Sequence, residues 1–300
     1  MIHSKKILWF IFGFVVLCAC SSEEITEEPE IIDVIEDNNS DDYAQIDFTN
    51  WKVTLPVDAN NNGSPDEYQP VDLVNGGYRT LEAVKPYMYD DQTDKSIVFY
   101  TFPRQSTANS SYSRTELREL ILPSNSRVNW SLETGGTMVG RLKMLDISKD
   151  NISSREYHRT IVMQIHGILS IADVAKLNAS SNNGPPLIKI YWEDGYIWAF
   201  KKSLVDITTS GDDLLDTSRD TWVDEKRNMG YVGFDAFNFR ITASTGKLEL
   251  QLNNDSPVIY QDISMAKWPF ENYFKAGNYL NTTDAGAFAR VKYFSLSVTH

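Results

Sequence analysis

From Phe48 to His300 the chain is written in short runs of β-branched and aromatic residues, punctuated by clusters of Gly, Asn, Asp and Pro, with almost no stretch of helical period. Such punctuation is what a sandwich or barrel of strands requires. The clearest strands are predicted over residues 97–102, 115–122, 137–145, 160–166, 187–192, 196–201, 237–242, 247–252 and 289–298. Asp194-Gly195 and Thr245-Gly246 supply hairpin turns. The one plausible helix, Ile171 to Leu177, falls inside what reads as a long loop from Gly167 to Pro186. No internal repeat or second shift of composition interrupts residues 48–300, so one domain is expected there.

The N-terminal segment has a different character. Met1 to Ala19 reads as an export signal, with Lys5 and Lys6 ahead of an apolar stretch from Ile7 to Leu17. Leu17-Cys18-Ala19-Cys20 resembles a bacterial lipobox, which makes Cys20 the expected lipidation site and first residue of the mature chain. The chain has two cysteines. Cys18 would leave with the signal, so no intrachain disulfide is expected, and stability must come from a packed core. Residues 20–47 read as an acidic, solvated tether, because eleven of the 41 acidic residues fall there without one Lys or Arg. Residues 48–300 keep 30 acidic against 26 basic residues, a nearly balanced domain that leaves room for a cationic groove. No basic stripe suggests nucleic acid as a partner. The expected location is the outer membrane, held by the lipid anchor alone and facing outward, with the periplasmic face or release as alternatives. The folded part is expected to be a monomer.

Three clusters can carry chemistry. In a strand, Arg114, Glu116 and Arg118 share one face, and two guanidiniums about 7 Å apart suit a polymer that carries carboxylates. Glu116 between them could lock both. A solvent-facing ladder of ion pairs on an outer strand fits the same pattern equally well. In Ile161-Val162-Met163-Gln164-Ile165-His166, alternation puts Gln164 and His166 on one face, with Ile161, Met163 and Ile165 on the other. A buried His satisfied by a neighbouring amide is the plainer reading of that strand. His158 has the same parity but lies too far along to share a site. In Tyr273-Phe274-Lys275-Ala276-Gly277-Asn278-Tyr279, Tyr273, Lys275, Gly277 and Tyr279 share a face if the segment is extended. The Asn-rich stretch from Asp58 to Glu67 lacks the spacing of an EF-hand and reads as a surface loop, and neither a catalytic metal nor a cofactor is expected.

Taken together, Arg-Thr-Glu-Leu-Arg, Gln-Ile-His and Tyr-Phe-Lys-Ala-Gly with its downstream Tyr resemble the three signature motifs of the alginate lyases of polysaccharide lyase family 7, in order and at similar separations. The third motif departs from the family's usual ending at Asn278, Leu280 and Asn281. The resemblance implies an all-β jelly roll, a sandwich of two antiparallel sheets with a concave substrate groove. It also implies cleavage of alginate by β-elimination, in which the proton at C5 is removed and the C4 oxygen expelled. Arg114, Gln164 and His166 would be donors neutralising the substrate carboxylate, and Tyr279 would transfer the proton, with nearby Arg114 and Lys275 favouring its phenolate. His166 would serve as base for guluronate, whose C5 proton lies on the opposite face. Arg118 and Lys275 would bind neighbouring carboxylates, with Glu116 holding the arginines. Ile165 accompanies activity on guluronate blocks within the family. The loop after His166 could close one end of the groove and favour exolytic cleavage, or leave it open to endolytic attack. Rival readings are a non-catalytic jelly roll binding acidic glycans, a lyase on another polyuronate, and a glycoside hydrolase, which needs two carboxyl groups that this pattern does not provide.

Overall fold

A computed structural model of the protein describes residues 42–300. Cys20, the signal and the tether up to residue 41 lie outside the described residues. The strands are β1 (Gln45–Ile46), β2 (Trp51–Thr54), β3 (Glu67–Tyr68), β4 (Met88–Asp91), β5 (Ser96–Thr101), β6 (Arg114–Glu119), β7 (Gly136–Ile147) and β8 (Thr160–Ile168). They continue with β9 (Asn183–Glu193), β10 (Tyr196–Leu204), β11 (Trp222–Tyr231), β12 (Phe237–Ser244), β13 (Lys247–Leu252), β14 (Val258–Tyr260), β15 (Glu271–Leu280) and β16 (Ala289–Thr299). Three short helices join them: α1 (Pro70–Leu73), α2 (Ile171–Leu177) and α3 (Ile263–Ala266).

The strands form two sheets, a jelly-roll sandwich. The backing sheet runs β14-β13-β12-β7-β16-β5-β4, with β1 added in parallel on β16; the second runs β11-β10-β9-β8-β15-β6-β2-β3. In β12, Phe237, Phe239 and Ile241 are buried while Asn238 and Arg240 are exposed, as expected of a sheet with one face on the core and one in water. The core fills with Phe99, Leu142, Phe239 and Tyr293 from the backing sheet, against Leu117, Met163, Ile165, Ile190 and Phe274 from the other. The Asp194-Gly195 turn has both residues at positive φ, 51° and 81°, which a two-residue hairpin of type I′ demands.

Two expectations need correction. The fold begins before Phe48: Ala44 and Ile46 are buried and β1 pairs with Ser295 and Leu296. Asp42 and Asp47 flank that alternation and hide it within an acidic run. The long loop after His166 is also shorter than expected, because β8 extends to Ile168 and β9 starts at Asn183, leaving α2 at its predicted span between them.

A bulge in β15 sets up the site. Tyr273 and Lys275 pair with His166 and Gln164 of β8, but the register slips between Ala276 and Tyr279, so Tyr279 faces Ile161. Gly277 stands at φ 135°, and a Cβ there would lie 2.7 Å from the Thr115 carbonyl oxygen and 3.0 Å from the Glu116 Cα. Only glycine fits. The bulge's spare groups are capped from the opposite sheet: the Tyr293 hydroxyl accepts from the Gly277 N–H at 3.1 Å and donates to the Val162 carbonyl. Asn278 points into the core, where its Nδ2 donates to the Phe99 carbonyl at 2.9 Å and the Ala289 carbonyl at 2.8 Å, while its Oδ1 accepts from Thr160 at 2.7 Å. The departure at Asn278 from the family's usual ending is therefore a tie between sheets, buried and outside the groove lining. Removing the Tyr293 hydroxyl strands two buried backbone groups. Tyr293→Phe is expected to lower unfolding free energy by about 2–3 kcal/mol, read from urea denaturation; an unchanged midpoint would refute the capping role.

Candidate active site

β6 lies inside its sheet, between β15 and β2, and every one of its residues is buried. Arg114, Glu116 and Arg118 are 8 %, 1 % and 8 % exposed, which rules out the solvent-facing ladder. Charges taken out of water at such cost must be partnered. Glu116 is the hub: its Oε1 accepts from Gln164 Nε2 at 2.6 Å, and its Oε2 meets Arg114 at 3.2 Å and Lys275 Nζ at 2.5 Å. Arg118 is not held by Glu116 as expected. Its guanidinium instead donates to the Ser126 and Glu119 carbonyls and to Asn129 Oδ1, and it lies 4.1 Å over the Tyr273 ring, because Lys275 pairs across from Arg118 and takes the carboxylate.

His166 stacks on Tyr273, with centroids 5.3 Å apart. Its Nδ1 sits 2.8 Å from the Gly167 carbonyl, so Nδ1 must carry the proton. Burial, helped by the charges of Lys275, Arg114 and Arg118, pulls its pKa down to about 3 against the pull of that hydrogen bond. The ring is neutral and Nε2 is a lone pair. His166 therefore offers the groove an acceptor at Nε2, as the expected base role requires, and not the donor to a carboxylate that was also foreseen.

Tyr279 has the Arg114 guanidinium 3.8 Å above its ring centroid, and its hydroxyl is 2.5 Å from Ser110 Oγ. A small apolar cluster of Ile161, Tyr191 and Phe200 packs against it. Ile161 was expected on the core side; a register slip between Ile161 and Met163 in the β8–β9 pairing turns it to the groove. Burial pulls the Lys275 ammonium down to about 8, with Glu116 opposing and Arg114 assisting. A polyanion held by that charge should bind more weakly as pH rises through about 8. Calorimetric titrations on either side test this, and equal affinity would exclude Lys275 as a charged contact.

These side chains line one groove of about 920 Å³ that runs from Lys52 and Glu67 to Asp224 and Lys226, across the whole sheet. Nine basic side chains and two acidic ones line it, Glu116 lying beneath them. Predicted residues Arg114, Arg118, Gln164, His166, Lys275 and Tyr279 all meet there. His158 does not; it is buried between Asp150 and Asp284, and Asp150 is already occupied by Ser153 and Arg155. Helix α2 contributes nothing to the lining, but Asn183 to Pro186, the end of the segment expected to wall the groove, do line it, together with Thr107, Asn109, Ser110 and Tyr112 and with Thr217 and Arg219. The carboxylates of Asp58 and Asp66 accept from Asn60 and from backbone amides of their own loop.

Sequence reasoning missed Ser110, Arg159, Lys189, Tyr191, Phe200 and Lys202. A Lys interrupting the apolar run Leu187-Ile188-Lys189-Ile190 was the available signal for Lys189, while Ser110 sits in a loop with none. Lys189 and Lys202 flank Asp224 at 2.8 Å and 2.9 Å.

A family model described as alginate lyase matches residues 46–300. The crystal structure of alginate lyase A1-II′, a member of polysaccharide lyase family 7, superposes with a TM-score of 0.62 at 31 % identity, covering 85 % of this chain and 96 % of that one. A variant of that enzyme with a His-to-Asn and a Tyr-to-Phe change, solved in complex with substrate (GGMG), gives a TM-score of 0.62 at 30 % identity over 85 % and 94 % of the two chains. A curated alginate lyase of Klebsiella pneumoniae is 22 % identical over 85 % of this chain and 90 % of its own.

Proposed function

The chain belongs to the alginate lyases of polysaccharide lyase family 7, and from that premise we propose that its groove cleaves 1,4-linked uronate chains by β-elimination, leaving a 4,5-unsaturated sugar. The observation that carries the mechanism is the buried hub in which Glu116 holds Arg114, Gln164 and Lys275 in one fixed set beside Tyr279 and His166. An ionised carboxylate makes the adjacent C5 proton very weakly acidic. Arg114 and the free N–H of Gln164 neutralise that carboxylate and stabilise the enolate-like charge that develops as the proton leaves. Because their positions are fixed in advance, no reorganisation is needed as the charge grows.

Tyr279 delivers a proton to the departing C4 oxygen and, on mannuronate, also takes the C5 proton. On guluronate the Nε2 lone pair of His166 takes it from the other face. That lone pair supports activity on guluronate-containing blocks. Ile165 is fully buried between the sheets, so any influence on block preference passes through the placement of His166 rather than through contact with sugar. His166→Asn should reduce cleavage of pure guluronate blocks at least as much as of mannuronate blocks, and the reverse ranking would move the base elsewhere.

The groove crosses eight strands, about 34 Å at the usual spacing, which favours endolytic attack on internal bonds. Product sizing over time on pure blocks tests this, with mixed medium-sized oligomers expected early; short products alone from the outset would indicate exolytic action. The lyase reading itself is tested by ultraviolet absorbance of the new double bond during incubation with alginate. Binding with no rise in absorbance on any block type would favour the glycan-binding module, and reducing ends without absorbance a hydrolase. Acylation at Cys20 would anchor the enzyme in the outer membrane, and a Cys20→Ala protein released from the membrane fraction is the expected sign.

A further inference from the structure

The Tyr279 hydroxyl has one hydrogen-bond partner among the described residues, Ser110, which reaches it from the loop between β5 and β6 at 2.5 Å. Ser110 Oγ also meets the backbone of Tyr112 at two atoms. It accepts from the Tyr112 N–H at 3.0 Å and also lies 3.2 Å from the Tyr112 carbonyl, to which it can donate. A serine hydroxyl has one hydrogen and two acceptor sites. With one acceptor site filled by the Tyr112 N–H, one hydrogen and one lone pair are left to share between the Tyr112 carbonyl and Tyr279.

Two arrangements keep Ser110 bonded to both Tyr279 and the Tyr112 N–H. When Tyr279 is a phenol it donates to Ser110 Oγ, whose own hydrogen points to the Tyr112 carbonyl. When Tyr279 is a phenolate, the Ser110 hydrogen turns to the phenolate oxygen and the carbonyl is released. The two differ by rotation about one C–O bond. We propose that Ser110 is a positioning residue that follows the proton on Tyr279, donating to the phenolate and accepting from the phenol, so that both states the reaction passes through keep the ring in one place.

This deepens the reading of Tyr279 as the proton-transferring group and rests on it. On mannuronate the protons balance: the one taken from C5 by the Tyr279 phenolate resides on Tyr279 and passes to the C4 oxygen, which regenerates the phenolate, while Ser110 itself neither gains nor loses a proton. The other groups facing Tyr279 are Arg114 from β6 over its ring, Tyr112 at 6.4 Å between centroids, and Tyr191 from β9, none of which bonds the hydroxyl.

The test compares Ser110→Ala and Ser110→Thr with the unaltered protein. Tyrosinate ultraviolet absorbance is titrated against pH, with Tyr279→Phe as the blank, and the pH profile of kcat is recorded on pure mannuronate blocks, where Tyr279 is the base. Ser110→Ala should move the ionisation of Tyr279 alkaline by about one pH unit, the margin by which a charge-assisted bond to the phenolate exceeds the neutral one from the phenol. The acid limb of kcat should move with it, kcat near neutral pH should fall roughly 10-fold, and Ser110→Thr should restore both. An unchanged titration midpoint in Ser110→Ala, or a loss of kcat by the same factor at every pH, would overturn the proposal. The titration needs no turnover, so a failure of the lyase reading appears separately, as absence of unsaturated product from the unaltered protein.

Discussion

Tyr279→Phe is expected to lower kcat on alginate by roughly 10³-fold, the middle of the range for loss of a general acid–base group, while leaving alginate binding measurable. The separation of the two effects follows from what holds the ring. Arg114 stacks on its face at 3.8 Å and Ile161, Tyr191 and Phe200 pack around it, contacts that a phenylalanine retains in full. Only the hydroxyl is lost, and with it both the route of the proton to the C4 oxygen and the bond to Ser110. Charge recognition rests on other side chains along the groove and should persist. Single-turnover measurements with oligomers of defined block type, alongside calorimetry, distinguish the outcomes. Activity within a few-fold of the unaltered enzyme would remove Tyr279 from the reaction and leave His166 as the one candidate for proton transfer.

Alternation is what made the site legible in the sequence. Arg114, Glu116 and Arg118 on one strand, and Gln164 and His166 on another, reach the groove because both segments obey a period of two where it matters. Alternation fails at one bulge and survives another. Ile161 lies on the groove side because of the slip between Ile161 and Met163, which no residue type announces, whereas in β15 alternation holds across the slip at Gly277, with Tyr273, Lys275 and Tyr279 in the groove and Asn278 in the core. Nor could the pattern say which cation takes the carboxylate. Lys275 and Arg118 sit opposite each other across paired strands, and that long-range register gives Glu116 to Lys275 and leaves Arg118 to loop carbonyls. The tautomer of His166 was hidden likewise, since it depends on one backbone carbonyl at 2.8 Å.

The hub makes the sharpest demand on stability and activity together. Glu116→Ala is expected to cost about 3–5 kcal/mol of folding free energy, because it leaves two buried cations facing each other without a counter-charge. Glu116→Gln keeps the volume and isolates the charge. In that variant Lys275 loses the partner that holds its proton on. Burial has already drawn its pKa to about 8, and without Glu116 it should fall further, so the loss of polyanion affinity with rising pH should begin at lower pH than in the unaltered protein. Gln164 also loses the acceptor that orients its amide, and kcat/KM should drop by roughly 10²-fold or more, as for removal of a preorganised donor set. Pairing the change with Lys275→Gln makes the test internal. If the damage is electrostatic, the double variant removes one charge of each sign and should recover part of the stability lost by Glu116→Gln alone, a coupling of about 1–3 kcal/mol. Additive losses in the cycle would mean that Glu116 acts by shape and hydrogen bonding to Gln164, and that Lys275 is held by something other than its carboxylate.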